Sequence, residues 1–181
     1  GQKISMFFCC PFDALGGTMA TYAGQNAGAG KIERIYQGIK SATIIGSIYS
    51  IAAFLILFSL GGLIPLLFVS ADETVVIHQA HQFLTYNSLF YIPLTIVNVW
   101  RFTIQGMGYS ILAIAAGICE MVGRAFVGFV LVPVFGYIII CFASPVAWVL
   151  ANAFLIPAFF HCMKRMKTLM GNSEAKGEYK R

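Results

Sequence analysis

The chain has 181 residues, of which 59% are hydrophobic and only 10% are charged, and its mean hydropathy is +0.79. A soluble domain carries about 25% charged residues, so this composition argues against a soluble enzyme and indicates a protein of the lipid bilayer. The formal net charge is +5. Because most Lys and Arg residues lie in short connections and in the tail, we attribute that charge to membrane orientation and expect no nucleic-acid partner.

Apolar runs of roughly 20 residues or more, enough to cross the hydrocarbon core, predict an all-α fold: a polytopic transmembrane bundle of about five helices. In chain order, the predicted spans are residues 4–29, 38–69, 75–102, 107–133 and 136–163. We assign residues 1–170 to the transmembrane domain and residues 171–181 to a polar tail.

The first span contains one ionisable residue, Asp13. At about 100° per residue, Asp13 lies within about 60° of the small residues Gly16, Ala20 and Gly24, on a face that lets helices approach closely. We therefore expect Asp13 to point into the bundle, and an ionisable group there is a functional candidate by default. It is either a carboxylate that exchanges a proton or Na⁺ or an acid hydrogen-bonded near the outer interface. The second span repeats the small-residue spacing at Gly38, Ala42 and Gly46.

The first connection reads GAGKIERI, residues 28–35, a glycine-rich run that ends in a lysine. A phosphate-binding loop needs a glycine, four spacers, Gly-Lys and then Ser or Thr. Here Gln25 holds the first place and Ile32 the last, so the sequence does not predict a nucleotide site. We interpret the stretch as a helix end, where Gly28 and Gly30 supply the stop.

Four polar side chains of the third span fall within an arc of about 120°, which is typical of a cavity lining. These substrate-cavity candidates are Thr85, Ser88, Tyr91 and Thr95. The alternative is hydrogen bonding between helices, at about 1 kcal/mol per bond.

The fourth span contains Glu120 and Arg124, four residues apart in the order that favours an ion pair on one helix face. Glu120 is the second candidate for ion exchange, and Arg124 is a further cavity candidate. The alternative is a neutralised pair that lets one polar turn survive in lipid.

The charges also predict an orientation. The Lys and Arg residues between 31 and 40, then Arg101, then the C-terminal cluster fall on alternate connections, the pattern of the cytoplasmic side. The opposite side carries Asp72 and Glu73. We therefore expect a multi-pass protein of the cell membrane, specifically the bacterial inner membrane, with its C-terminal tail in the cytoplasm. This orientation places the N-terminus outside, although the sequence shows no signal peptide to carry it across the membrane. We therefore expect a further membrane span before the first one.

Five sequence pieces occur in a characteristic order over about residues 5–167: ATYAGQNAGAGKIERI, NVWRFTIQGMG, ICEMVGR, VFGY and SPVAW. In this order the sequence resembles the C-terminal lobe of the multidrug and toxic compound extrusion (MATE) family of antiporters. Members have two pseudo-symmetric lobes of six helices. The resemblance implies that the chain corresponds to helices eight to twelve, with the seventh helix and the N-terminal lobe as its missing partners.

The resemblance implies a secondary antiporter that exports small organic, often cationic compounds in exchange for Na⁺ or H⁺, with no other cofactor and no metal. Some Na⁺-coupled members carry an acid within the stretch YIPLTIVNV, where this sequence offers only Leu94, Thr95 and Asn98. Asp13 and Glu120 are therefore the ion-coupling candidates of this half.

Besides a non-transporting remnant of a broken gene, two alternatives stay open. One is a flippase for lipid-linked sugars from the same superfamily, which predicts a larger basic groove. The other is a membrane-embedded redox or metal protein that uses His78, His81 and His161. No nucleophile with its base is visible, and we expect no enzymatic activity.

Overall fold

The computed structural model describes residues 2–60 and 74–178, and these are helical apart from short connections. In chain order, the elements are α1 (Gln2–Gly28), α2 (Ile32–Leu60), α3 (Thr74–Leu89), α4 (Tyr91–Gly106), α5 (Ser110–Phe126), a π-helical segment (Val127–Leu131), α6 (Val132–Phe135), α7 (Tyr137–Ile140) and α8 (Ala143–Glu178). The all-α helical bundle is confirmed. Part of the second predicted span, together with Asp72 and Glu73, lies outside the described residues.

Three stretches of the described chain are long and apolar enough to cross a membrane: Ile32–Leu60, Ser110–Val134 and Ala143–Leu169. They correspond to the second, fourth and fifth predicted spans. The first predicted span is α1, a helix of 27 residues that is about 40 Å long but more polar. The third predicted span is divided between two shorter helices.

Pro93 explains why this span is divided into two helices. α3 ends at Leu89, α4 begins at Tyr91, and Phe90 between them has φ −101° and ψ 19°. Pro93 has no N–H to donate to the carbonyl of Leu89, and a proline ring clashes with the carbonyl four residues before it. Each half has 16 residues, so neither half reaches the length of a spanning helix by itself.

The connection between α1 and α2 is shorter than predicted. The sequence places it at about residues 30–37, whereas the structure leaves only three residues, 29–31, between the two helices. The charged residues after Lys31 therefore belong to the first turns of α2. Gly30 has a positive φ of 72°, the left-handed conformation that ends many helices. The N–H of Lys31 donates to the carbonyl of Asn26 at 2.8 Å and closes the end of α1.

The central helix of the bundle is α4, which contacts α1, α2, α5 and α8. Glycines on two neighbours let them approach it. On α1, a Cβ at Gly16 would overlap the ring of Phe102. On α2, a Cβ at Gly46 would overlap the side chain of Thr95. The small-residue faces predicted for the first two spans are therefore packing faces, as expected for closely packed membrane helices.

The last helix, α8, has 36 residues and packs along α4 and α5. It begins seven residues later than the predicted fifth span, because Gly136 ends α6 with a positive φ of 76° and the short α7 follows. Gly123 of α5 lies against Ala147 of α8, where a Cβ would be 3.0 Å from the Cα of that alanine. α8 continues through Glu178, so most of the predicted tail extends the helix.

Candidate ion-coupling and substrate site

Asp13 lies near the middle of α1 and is exposed. Its Oδ1 accepts a hydrogen bond from Nδ2 of Asn98 on α4 at 3.3 Å. This corrects the expectation that Asp13 points into the bundle. The Asp13 carboxylate lies at the edge of the α1–α4 interface. On one side it contacts Asn98 of α4, and on the other side it is exposed at the surface of the bundle.

Close packing of α1 on α4 brings this acid and this amide together. A Cβ at Gly106 of α4 would overlap the carbonyl oxygen of Ala20, so the two backbones touch at their crossing. Asp13 is seven residues before Ala20, and Asn98 is eight residues before Gly106. Both side chains therefore lie about two helical turns from the crossing and at the same level.

Glu120 on α5 bridges two arginines. Its Oε1 accepts a hydrogen bond from Nη1 of Arg101 on α4 at 3.1 Å, and its Oε2 accepts one from Nη2 of Arg124 on α5 at 3.2 Å. The side chain of Glu120 is 12% exposed, whereas those of Arg101 and Arg124 are 34% and 51% exposed. The predicted pair of Glu120 with Arg124 is confirmed, and the structure adds a third member from the neighbouring helix.

Sequence reasoning missed Arg101, because it placed this residue at the end of the third span and assigned its charge to the connection that follows. In the structure α4 continues to Gly106, so Arg101 is inside the helix. Its guanidinium lies beside α5, where Nη2 is 3.7 Å from the position of a Cβ at Gly117. The feature of the sequence that could have indicated this contact is Gly117, one helical turn before Glu120. A small residue at this position leaves space for the long side chain of Arg101 to reach α5.

The two polar contacts are connected through α4. Asn98 and Arg101 are three residues apart and so occupy neighbouring positions on one helix face. Asn98 reaches α1 and Arg101 reaches α5. We call the resulting set the polar row: Asp13, Asn98, Arg101, Glu120 and Arg124. It contains two acids and two arginines, and it extends across three helices.

The four polar residues of the third predicted span lie inside the bundle instead. Ser88, Tyr91 and Thr95 are buried, and Thr85 is half-buried. Ser88 donates to the carbonyl of Thr85 at 3.0 Å. The Thr95 hydroxyl donates to the carbonyl of Tyr91 at 3.0 Å and lies 3.0 Å from the Ser50 hydroxyl on α2. For Thr95, this contact is the hydrogen bond between helices that the sequence left as the alternative.

Two hydroxyls of the same stripe have no hydrogen-bond partner among the described residues: Thr85 Oγ1 and Tyr91 OH. The Tyr91 ring packs edge-to-face on Phe12 at 5.4 Å and lies 6.5 Å from the ring of Trp148. Buried polar atoms are nearly always paired with protein or water. Water or a bound compound could therefore accept a hydrogen bond from either of these two hydroxyls.

None of the three histidines belongs to the polar row. His78 on α3 and His161 on α8 are exposed, and His81 on α3 is half-buried. In the part of the chain that the structure describes, no three His, Cys, Asp or Glu side chains are grouped as metal ligands would be.

Long apolar helices that carry charged side chains within them define the class: a helical membrane protein with ionisable groups inside its spans. The MatE family model matches residues 1–130, a range that includes the entire polar row. The chain therefore belongs to the MATE family, whose members are membrane transporters and not enzymes. No curated protein and no solved structure matches the chain.

Proposed function

We propose that this chain is the C-terminal lobe of a secondary antiporter that exports small organic, often cationic compounds in exchange for Na⁺ or H⁺. The match to the MATE family supports a transporter. In this proposal the lobe acts in the lipid bilayer together with a seventh helix and an N-terminal lobe of the same transporter. The coupling ion is the only cofactor that the proposal needs.

The observation that carries the proposal is the exposed carboxylate of Asp13. A charge on a membrane helix must face water or another part of the protein, because charge in hydrocarbon is expensive. The surface of α1 around Asp13 is thus suited to be the wall of a cavity between two lobes. There the carboxylate, positioned by Asn98, binds a proton or Na⁺.

Glu120 and Arg124 take different roles in this proposal. Two guanidinium groups already hold both carboxylate oxygens of Glu120, so this side chain is engaged in ion pairs within the lobe. We therefore assign ion coupling to Asp13 first and give Glu120 the task of holding Arg101 and Arg124 in place. Arg124, with half of its side chain exposed, faces the substrate cavity.

The stripe on α3 and α4 contributes through its unpaired hydroxyls. Thr85 Oγ1 and Tyr91 OH lie on either side of the helix break at Phe90. A change of angle at this break exposes both hydroxyls to the cavity, whereas Ser88 and Thr95 stay engaged with the backbone and with α2. Thr85 and Tyr91 then line the cavity in only part of the transport cycle.

Transport by the full-length protein in liposomes tests the function. A fluorescent organic cation is expected to move against its own gradient when an opposing H⁺ or Na⁺ gradient is imposed. An ionophore that collapses the gradient should stop the movement, because export takes its free energy from ion flow. Protein-free liposomes are the control. Movement that only follows the gradient of the dye, with either ion, would contradict antiport.

Labelling of single cysteines tests the proposed orientation in the inner membrane. Gln37 is exposed near the start of α2, and we place it with the C-terminus in the cytoplasm. Gln37→Cys should react with a membrane-impermeant maleimide only after the cells are opened, whereas Glu73→Cys should react in intact cells. The native exposed Cys10 is replaced by Ser in both variants. The opposite pattern would reverse the orientation.

A further inference from the structure

The bundle has a basic cavity at one end, between the connection from α4 to α5 and the last part of α8. Its volume is about 330 Å³, and its lining includes Tyr109, Ser110 and Ile111 on one side and His161 and Arg165 on the other. His161 and Arg165 are four residues apart, so they are neighbours on one face of α8. Because an arginine is always charged, one wall of the cavity is positive.

The charge in this wall is available to a ligand. Arg165 is exposed. The ion pairs of the described residues are made by the carboxylates of Glu33 and Glu120, and neither pairs with Arg165. On the opposite wall, Tyr109 gives the beginning of α5 no side-chain cap, so the first N–H groups of that helix remain as further donors. The cavity therefore offers donors around one positive charge and holds no acid in its lining.

The cavity lies at the level of a membrane surface. Ser110–Val134 and Ala143–Leu169 are two of the stretches long and apolar enough to span. The first of them begins at Ser110, and Arg165 is four residues before the end of the second, which is about 6 Å along the helix. Since Ser110 and Arg165 line one cavity, these two ends meet at the same surface. The polar headgroups of lipids lie at this level, just outside the hydrocarbon core.

The side of α5 next to the cavity is apolar and exposed. Ile111, Ile114 and Ile118 are 81%, 64% and 52% exposed, and their spacings of three and four residues place them in one row along the helix. The row begins at the cavity, because Ile111 is part of its lining, and continues toward the middle of the span. A molecule with an anionic headgroup and hydrocarbon chains matches both the cavity and this row.

We propose that the cavity binds one anionic phospholipid, with its phosphate on Arg165 and its acyl chains along Ile111, Ile114 and Ile118. A planar guanidinium binds phosphate through parallel N–H donors, and basic pockets between membrane helices bind lipid headgroups in other proteins. Such a lipid joins the beginning of α5 to the end of α8. Its binding requires only a membrane protein with this cavity, so it is independent of the antiport proposed above.

Arg165→Gln removes the charge that the phosphate meets. Because this side chain is exposed and has no ion pair among the described residues, the variant is expected to fold. Lys164→Gln is the matched control: it removes one positive charge from the preceding residue, which is also exposed but is not part of the cavity lining. A general attraction between a basic surface and anionic lipid would be weakened equally by both changes, whereas a site at the cavity is weakened only by Arg165→Gln.

Native mass spectrometry of the purified full-length transporter counts the bound lipids. Phosphatidylglycerol and phosphatidylcholine both contain phosphate and acyl chains, but only the first has a net negative charge. The wild type and Lys164→Gln are expected to bind the same number of phosphatidylglycerol molecules, in preference to phosphatidylcholine. Arg165→Gln should bind one fewer at the same lipid concentration, because the loss of a charge-assisted hydrogen bond lowers the affinity of this site about tenfold.

Two results of this experiment would overturn the proposal. One is an equal number of phosphatidylglycerol molecules on Arg165→Gln and Lys164→Gln, which would assign the binding to the general basic surface. The other is a wild type that binds both lipids equally, because a site built around Arg165 prefers a headgroup with net negative charge.

Ser110→Asp tests the same cavity from the opposite wall. An acid in the first turn of a helix favours the helix, so this variant is expected to fold as well as the wild type. Its carboxylate repels a phosphate in the cavity and competes with it for Arg165. Ser110→Asp should therefore also bind one phosphatidylglycerol fewer. If Ser110→Asp retains the full number, the cavity is not the lipid site, whatever the folding of Arg165→Gln.

Soluble glycerol phosphate distinguishes a lipid from a free phosphate compound. It has the anionic group but no acyl chains, so it makes no contact along Ile114 and Ile118. At the same concentration as phosphatidylglycerol, it should leave the number of bound lipids unchanged. Displacement of one phosphatidylglycerol under these conditions would overturn the lipid as the ligand and would assign the cavity to a soluble phosphate.

Discussion

In the full-length transporter, Asp13→Asn is expected to abolish ion-driven export while the protein still folds and binds its substrate. The change removes the charge and the exchangeable proton but keeps the shape of the side chain. The asparagine oxygen can still accept the hydrogen bond from Asn98 that Asp13 accepts at 3.3 Å, so the α1–α4 contact survives. Export of an organic cation under an imposed gradient should fall to the level of protein-free liposomes.

Two measurements separate loss of coupling from loss of the protein. Substrate binding by fluorescence and the melting temperature should stay near their wild-type values. Thr21→Val is the matched control, since Thr21 is exposed on the same helix. Among the described residues, its hydroxyl donates only to the carbonyl of Gly17 in its own helix. Normal export by Asp13→Asn under both H⁺ and Na⁺ gradients would remove Asp13 from the coupling mechanism.

Glu120→Gln is expected to lower stability more than any other single change in the polar row. It leaves Arg101 and Arg124 close together without the carboxylate that now bridges them at 3.1 and 3.2 Å. Orphaning one partner of a fully buried pair costs about 3–5 kcal/mol, and partial exposure of both arginines reduces this to about 1–3 kcal/mol. The melting temperature of the purified protein should fall by several degrees, with less protein reaching the membrane.

An exposed ion pair in the same protein provides the comparison. Glu33 and Lys167 form a pair at 3.3 Å with side chains 78% and 54% exposed, and such surface pairs contribute about 0–1 kcal/mol. Glu33→Gln should therefore leave the melting temperature nearly unchanged. If Glu120→Gln has the same melting temperature as Glu33→Gln and the wild type, the bridge between α4 and α5 does not stabilise the protein.

The same comparison distinguishes the two acids of the polar row. Asp13 has one amide partner and is exposed, so its removal should act on transport. Glu120 has two cationic partners and is mostly buried, so its removal should act on folding. The sequence predicted both as candidates for ion exchange, because an ionisable residue inside a span gives the same signal in either case. Their different partners follow only from how α1, α4 and α5 pack.

The sequence by itself determined the class of fold, the approximate spans and the Glu120–Arg124 pair. Each depends on local physics: apolar length sets the crossing of a bilayer, and a separation of four residues sets neighbours on a helix. Small residues at every fourth position likewise predicted where α1 and α2 approach their neighbour. These signals are contained within single helices, so no knowledge of tertiary contacts was needed.

Only the tertiary structure decided what lies beside each polar group. Asp13 and Asn98 are separated by 85 residues, and Arg101 and Glu120 by 19 residues on two different helices. Helical periodicity says which residues share a face but not which helix that face meets. Asp13 therefore proved exposed at an edge, Thr95 proved buried against Ser50, and Arg101 joined the site, because each outcome depends on the crossings of α4 with its neighbours.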